Sequence, residues 1–167
     1  GLNLAIGTLV LLRNQKRMAN VVFAIMCLSV VGWTVFNLLA QQLEGTTVLM
    51  TKLTGICSIS TLVSFYVFSI AFPKTFKRPR VLTQVLAVMV VIEVVLSMSN
   101  LMIENAVVTS SGLDIKTGPL YPYHFLMITT LIGLSGYNFV RQHQQATELV
   151  KRQLRFLYSG IALTVGL

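Results

Sequence analysis

The chain alternates apolar runs, most of them about 20 residues long, with short polar or basic links, and this pattern restricts its fold more than any other feature. The runs cover about residues 1–12, 19–40, 48–72, 81–103, 119–140 and 156–167. A helix of about 20 apolar residues spans the roughly 30 Å hydrocarbon core of a bilayer. Only 11% of the residues are charged, against about 25% in soluble domains, so the outer surface cannot be covered by charge. The expected fold is therefore all-α: a polytopic membrane helix bundle, read as one transmembrane domain over residues 1–167. Six helices are expected, the first and last too short to cross and so expected to continue beyond the segment.

The links carry orientation. The first, third and fifth hold Arg13, Lys16, Arg17; Lys74, Lys77, Arg78, Arg80; and Arg141, Lys151, Arg152, Arg155. Those eleven, of the thirteen Lys and Arg in the chain, would lie on the cytoplasmic side. Only Lys52 and Lys116 fall at the even links, beside Glu44, Glu104 and Asp114. This places the N-terminal side of the first helix outside and predicts a multi-pass protein of the cytoplasmic (inner) membrane. The net charge of +8 is thus a topological signal, and no nucleic-acid partner is expected.

Pro73 closes the third run, because a proline lacks the N–H and its ring clashes with the preceding turn. The longest connection outside the cytoplasmic face, Glu104 to Gly118, contains Ala106 to Thr109 and Leu113 to Lys116 around Ser110-Ser111-Gly112, the composition of a short hairpin. Pro119 and Pro122 suit the first turn of the fifth helix. The basic link after Val140 is helix-forming, so the fifth and sixth helices are expected to extend past the apolar region.

Polar residues inside the runs mark the candidate site. Glu93 lies near the middle of the fourth run, where an ionised carboxylate is expensive and a functional role is the default hypothesis. Ser97 and Asn100 follow at i+4 and i+7, sharing one helical face with it that should point into the bundle. Trp33 and Asn37, also i and i+4, lie at outer-half depth in the second run, and Tyr121, Tyr123 and His124 open the fifth. Together these residues would line an outward-opening ligand pocket with a few polar groups in an apolar wall. The competing account makes the polar groups interhelical glue and the aromatics an interfacial belt.

Thr54, Ser58 and Thr61 form one small-residue stripe on the third helix, Ser60 and Ser64 another, and all read as close-packing positions, as do Gly133 and Gly136. Cys27 and Cys57 read as small packing residues too far apart to bridge. His124 and His143 fall on opposite sides, so they cannot share a metal, and no cofactor is expected. Catalytic constellations are missing, and Gly133-Leu134-Ser135-Gly136-Tyr137 fails the nucleophile-elbow pattern at its last position. The segment is not expected to be an enzyme.

Several stretches resemble the N-terminal seven-transmembrane sensor region of bacterial membrane histidine kinases. They are Asn20 to Ser29 with Trp33, Phe65 to Pro73, Gly118-Pro119-Leu120-Tyr121-Pro122-Tyr123, and Arg152-Gln153-Leu154-Arg155 with Gly160. The resemblance spans the chain and implies a seventh helix followed by a cytoplasmic output module, commonly a dimerising phosphorylation domain and an ATP-binding kinase domain. It implies a sensory input domain of a two-component system, with signal transduction as its role. Its partners would be the lipid bilayer, a small or lipophilic ligand, a kinase module in cis and a second copy of the protein. The alternative is a secondary-transporter fragment in which Glu93 carries a proton or cation.

Overall fold

The computed structural model describes residues 2–43, 45–72, 80–110 and 112–144, with 146, 148, 151, 152 and 155 beyond them. The run 156–167 and most of the basic link before α4 lie outside the described residues. Within them the chain forms α1 (Leu2–Arg13), α2 (Met18–Gln42), α3 (Thr47–Ala71), α4 (Arg80–Ser97), β1 (Ile103–Thr109), β2 (Gly112–Thr117) and α5 (Tyr121–Gln144). Five helices are therefore present among the described residues. Of these, α2 and α3, each 25 residues long, are long and apolar enough to cross a membrane.

The helices end where local chemistry stops them. Phe72 takes the extended conformation (φ −117, ψ 134) imposed on a residue before proline, and α3 ends there. Gly45, in the tight link between α2 and α3, has φ +85, a conformation that side-chain-bearing residues rarely adopt. The fourth apolar run is only partly helical, because α4 stops at Ser97 and Ile103 already belongs to β1. Ser99 explains the stop. Its hydroxyl donates to Leu96 O at 2.7 Å and accepts from Leu101 N at 3.2 Å, so a side chain takes over the backbone groups that would continue the helix.

The predicted hairpin is present. Its strands pair antiparallel from Ile103 opposite Thr117 to Thr109 opposite Gly112, with an irregularity between Ile103 and Asn105, and Gly112 turns with φ +121. Lys116 and Glu104 form an exposed ion pair at 3.0 Å across it. At its foot Gly118 N donates to Met102 O and Leu120 N to Leu101 O, clamping the return strand onto the turn after α4. Gly118 is obligatory there, since a Cβ would collide with the Leu101 carbonyl oxygen. β1 lies over the α2–α3 link, where Asn105 to Val108 face Gly45, Thr47 and Val48 across a shallow cavity.

Two apolar cores hold the helices. Ala19, Val22, Phe68, Ala71 and Phe139 join the start of α2 to the ends of α3 and α5. Phe68 is central to this cluster, with ring centroids 6.0 Å from Phe23, 5.1 Å from Phe72 and 6.5 Å from Phe139. Ile59, Tyr66, Leu86, Met127 and Leu131 form the second core between α3, α4 and α5. The outward faces are also apolar: Val81, Val85, Val88, Ile92 and Val95 make an exposed stripe along α4. In water such a stripe would drive association, whereas acyl chains solvate it.

The cysteines are free and pack against glycines. A Cβ on Gly7 would lie 2.8 Å from Cys27 Cβ, and one on Gly32 would lie 2.9 Å from Cys57 Sγ, so these glycines set the approach of α1 to α2 and of α2 to α3. Gly133 and Gly136 do not do this, because a Cβ at either meets nothing within 4 Å among the described residues.

Candidate functional site

Glu93 on α4 points inward and is fully buried, while Ile92 and Val95 beside it face out. That orientation follows from the helical period, which puts Leu86, Glu93 and Ser97 on one stripe and the valines on the other. Oε1 of Glu93 stands 2.5 Å from Nδ1 of His124, in the first turns of α5. Oε2 is buried with no hydrogen-bond partner among the described residues. The preceding residue of α5, Tyr123, donates its hydroxyl to Met89 O at 3.0 Å. Two polar contacts therefore tie the outer part of α5 to α4.

His124 also lines a cavity of about 380 Å³ with Trp33 from α2, Thr51, Lys52, Thr54 and Ser58 from α3, and Ser97 from α4. Met102 and Ile103, the start of the hairpin, and Ile115 and Thr117 from β2 line its hairpin side, with Tyr121 beside them. This size is in the range of small-molecule sites, about 300–1,000 Å³. A second cavity of about 370 Å³, lined by Val30, Trp33, Ser58, Thr61, Leu62 and Ile128, shares Trp33 and Ser58 with the first. It lies roughly one turn deeper along α2, α3 and α5 and is mainly apolar.

Lys52 is the charged group of this site. It is buried, and its Nζ donates to Asn100 Oδ1 at 2.7 Å and to Met98 O at 3.2 Å, both in the turn after α4. Asn100 thus reaches the site from a turn; it does not share a helical face with Glu93 and Ser97, because Ser99 has ended α4 before it. Ser97 and Trp33 line the cavity, and Glu93 touches it through His124. Asn37 is not in the cavity lining: among the described residues its Oδ1 meets the Gln41 amide, at 3.5 Å, on an exposed part of α2.

At the edge of an even link Lys52 reads from the sequence as a topology residue, whereas the fold buries it against Asn100. The usable signal was a lone lysine one and a half turns inside an apolar helix, where an ammonium needs acceptors. The small-residue stripes of α3 divide by function. Ser60 Oγ meets Ser29 Oγ at 3.0 Å and packs α3 on α2, whereas Thr54, Ser58 and Thr61 form cavity wall.

Over residues 1–166 the chain matches the family described as the N-terminal 7TM region of histidine kinase. The chain belongs to this histidine-kinase sensor family. No curated protein and no solved structure matches it. As a histidine-kinase 7TM region it is a transmembrane sensor segment working in signal transduction, and the bilayer and a cytoplasmic kinase module are the partners such a region implies. The described part of this 7TM region also carries a polar joint between the C-terminal ends of α3 and α5. Ser69 accepts the Asn138 amide at 2.8 Å, and its carbonyl accepts the Gln142 amide at 2.7 Å, with both amides buried. As the helix-forming link after Val140 predicts, α5 runs to Gln144, a turn past Val140, and Gln142 faces α3.

Proposed function

We propose that this chain is the sensory input domain of an inner-membrane histidine kinase, and that its outer-half cavity binds the stimulus. The observation that carries the reading is the cavity itself: α2, α3, α4, α5 and the hairpin each contribute to one wall. An occupant held by five elements favours one packing of those elements over another. It can shift that balance only by its difference in affinity for the two packings. The orientation is the one the basic links dictate, with both hairpin and α2–α3 link outside and the end of α5 inside.

Helix α5 is the natural conduit. It begins at the cavity with Tyr121 and His124 and ends at the buried amides of Asn138 and Gln142, next to the first cytoplasmic residues. A displacement at its outer end is therefore read at its inner end by side chains locked to Ser69. The transporter reading asks Glu93 to exchange a proton or ion along an open path, whereas Glu93 is fully buried and does not itself line either cavity.

The test uses the full-length kinase in nanodiscs, with autophosphorylation measured across a panel of stimuli. Ser58→Phe fills the shared wall of the two cavities. The expected result is a kinase that still consumes ATP at a basal rate but no longer changes rate with stimulus. A variant that responds as the wild type does would overturn the assignment of the cavity.

A further inference from the structure

Resting on that sensory reading, the unspent polar groups of the cavity specify the chemistry of its occupant. An ammonium offers three N–H donors, and Lys52 has used two, both on neutral acceptors. Among the described residues no carboxylate lies within 4 Å of it, the acid of the site, Glu93, being engaged by His124. The hydroxyls of Ser58 and Ser97 line the same space and make no hydrogen bond among the described residues, so both can donate inward. The threonines differ: Thr51 and Thr54 have already given their protons to Thr47 O and Met50 O. The site is thus a buried cation with spare donors, and an anion answers all of them at once.

The deeper cavity sets the remainder. It adjoins the polar one through Trp33 and Ser58, and its other walls are Val30, Leu62, Ile128 and the methyl-bearing Thr61. Its Thr61 hydroxyl is spent on Cys57 O. A molecule filling both spaces must have an anionic head and a hydrocarbon tail aligned with the helices. The polar space of about 380 Å³ and the apolar crevice of about 370 Å³ adjoin through Trp33 and Ser58, an arrangement that matches one head and one chain.

We propose that the occupant is a single-chain anionic amphiphile of the fatty-acid type. Its head is seated on Lys52, Ser58 and Ser97, and its chain passes Trp33 into the crevice between α2, α3 and α5.

Trp33 is the single tryptophan of this chain and touches both cavities, so it reports occupancy directly. The full-length kinase is placed in phosphatidylcholine nanodiscs and titrated with bromine-labelled dodecanoate, a quencher of indole fluorescence. The Trp33→Phe protein is titrated in parallel to isolate the Trp33 signal. Saturable quenching that unlabelled dodecanoate reverses is expected. Lys52→Met should weaken it by about tenfold or more, the equivalent of one charged hydrogen bond, and Lys52→Arg should retain most of the affinity. Dodecanol should bind about tenfold more weakly than dodecanoate to the wild type, and equally to Lys52→Met.

Equal binding of acid and alcohol by the wild type overturns the proposal, as does undiminished binding to Lys52→Met. So does equal, saturable quenching by bromine-labelled phosphatidylglycerol built into the disc, which would make the occupant a bilayer lipid. The sensory reading fails separately. If dodecanoate binds as described but the Ser58→Phe kinase keeps its stimulus response, the chemistry stands and the signalling role of the cavity falls.

Discussion

Glu93 and His124 close a contact of 2.5 Å between the last turns of α4 and the first turns of α5, with the carboxylate fully buried and the imidazole nearly so. Neighbouring α4 positions face outward with valines, so this pair and the Tyr123–Met89 bond are the polar joints between these two helices. His124→Ala should therefore loosen α4 from α5 and lower stability by about 1–2 kcal/mol, the scale of hydrogen bonds between membrane helices. Thermal unfolding in detergent measures it, and an unchanged midpoint would show that the joint is idle. Glu93→Gln keeps a partner for the ring, and a kinase of unchanged response would remove Glu93 as a sensor residue.

The approach of α2 to α3 depends on the absence of a side chain at Gly32, where a Cβ would sit 2.9 Å from Cys57 Sγ. Gly32→Ala should destabilise the pair by about 1–3 kcal/mol through overpacking. Cys57→Ala removes the sulfur, so the double variant should recover most of that loss. Additive losses would mean that the strain lies elsewhere.

At the C-terminal ends of α3 and α5, Ser69 holds Asn138 through its hydroxyl and Gln142 through its carbonyl. Asn138→Leu and Gln142→Leu should each cost about 0.5–1.5 kcal/mol, and together should show coupling because they share one acceptor residue. In the full-length kinase the same substitutions should shift basal autophosphorylation while leaving dodecanoate binding near the wild-type value. Loss of binding with unchanged basal rate would contradict the role of this end as the transmitting one.

Orientation can be read by chemical labelling. In a background with Cys27→Ser and Cys57→Ser, a cysteine replacing Thr109 on the hairpin should react with a membrane-impermeant maleimide applied to intact cells. One replacing Arg141 should react only after the membrane is opened. The reverse pattern would invert the topology drawn from the basic links.

Much of the architecture was legible in the residues because bilayer and backbone impose simple periods. Apolar run length gave the long helices, the Ser110 to Gly112 turn gave the hairpin, and Glu93 with Ser97 was placed on an inward face. The end of α4 was not legible from hydropathy, since Met98, Leu101, Met102 and Ile103 continue the apolar run. What stops the helix is the Ser99 hydroxyl competing for backbone groups.

The sequence by itself determined that this chain presents hydrocarbon-compatible surfaces and sorts its Lys and Arg to alternate links, because those properties depend on composition along the chain alone. Only the tertiary structure decided which polar groups meet. It joined Lys52 to Asn100 across 48 positions and Glu93 to His124 across 31, brought Gln142 onto Ser69, and left Asn37 outside. The physical reason is that a buried donor or acceptor must find a partner in space. Helix ends, crossing points and the fold of the hairpin choose that partner, and none of these is a local property of sequence.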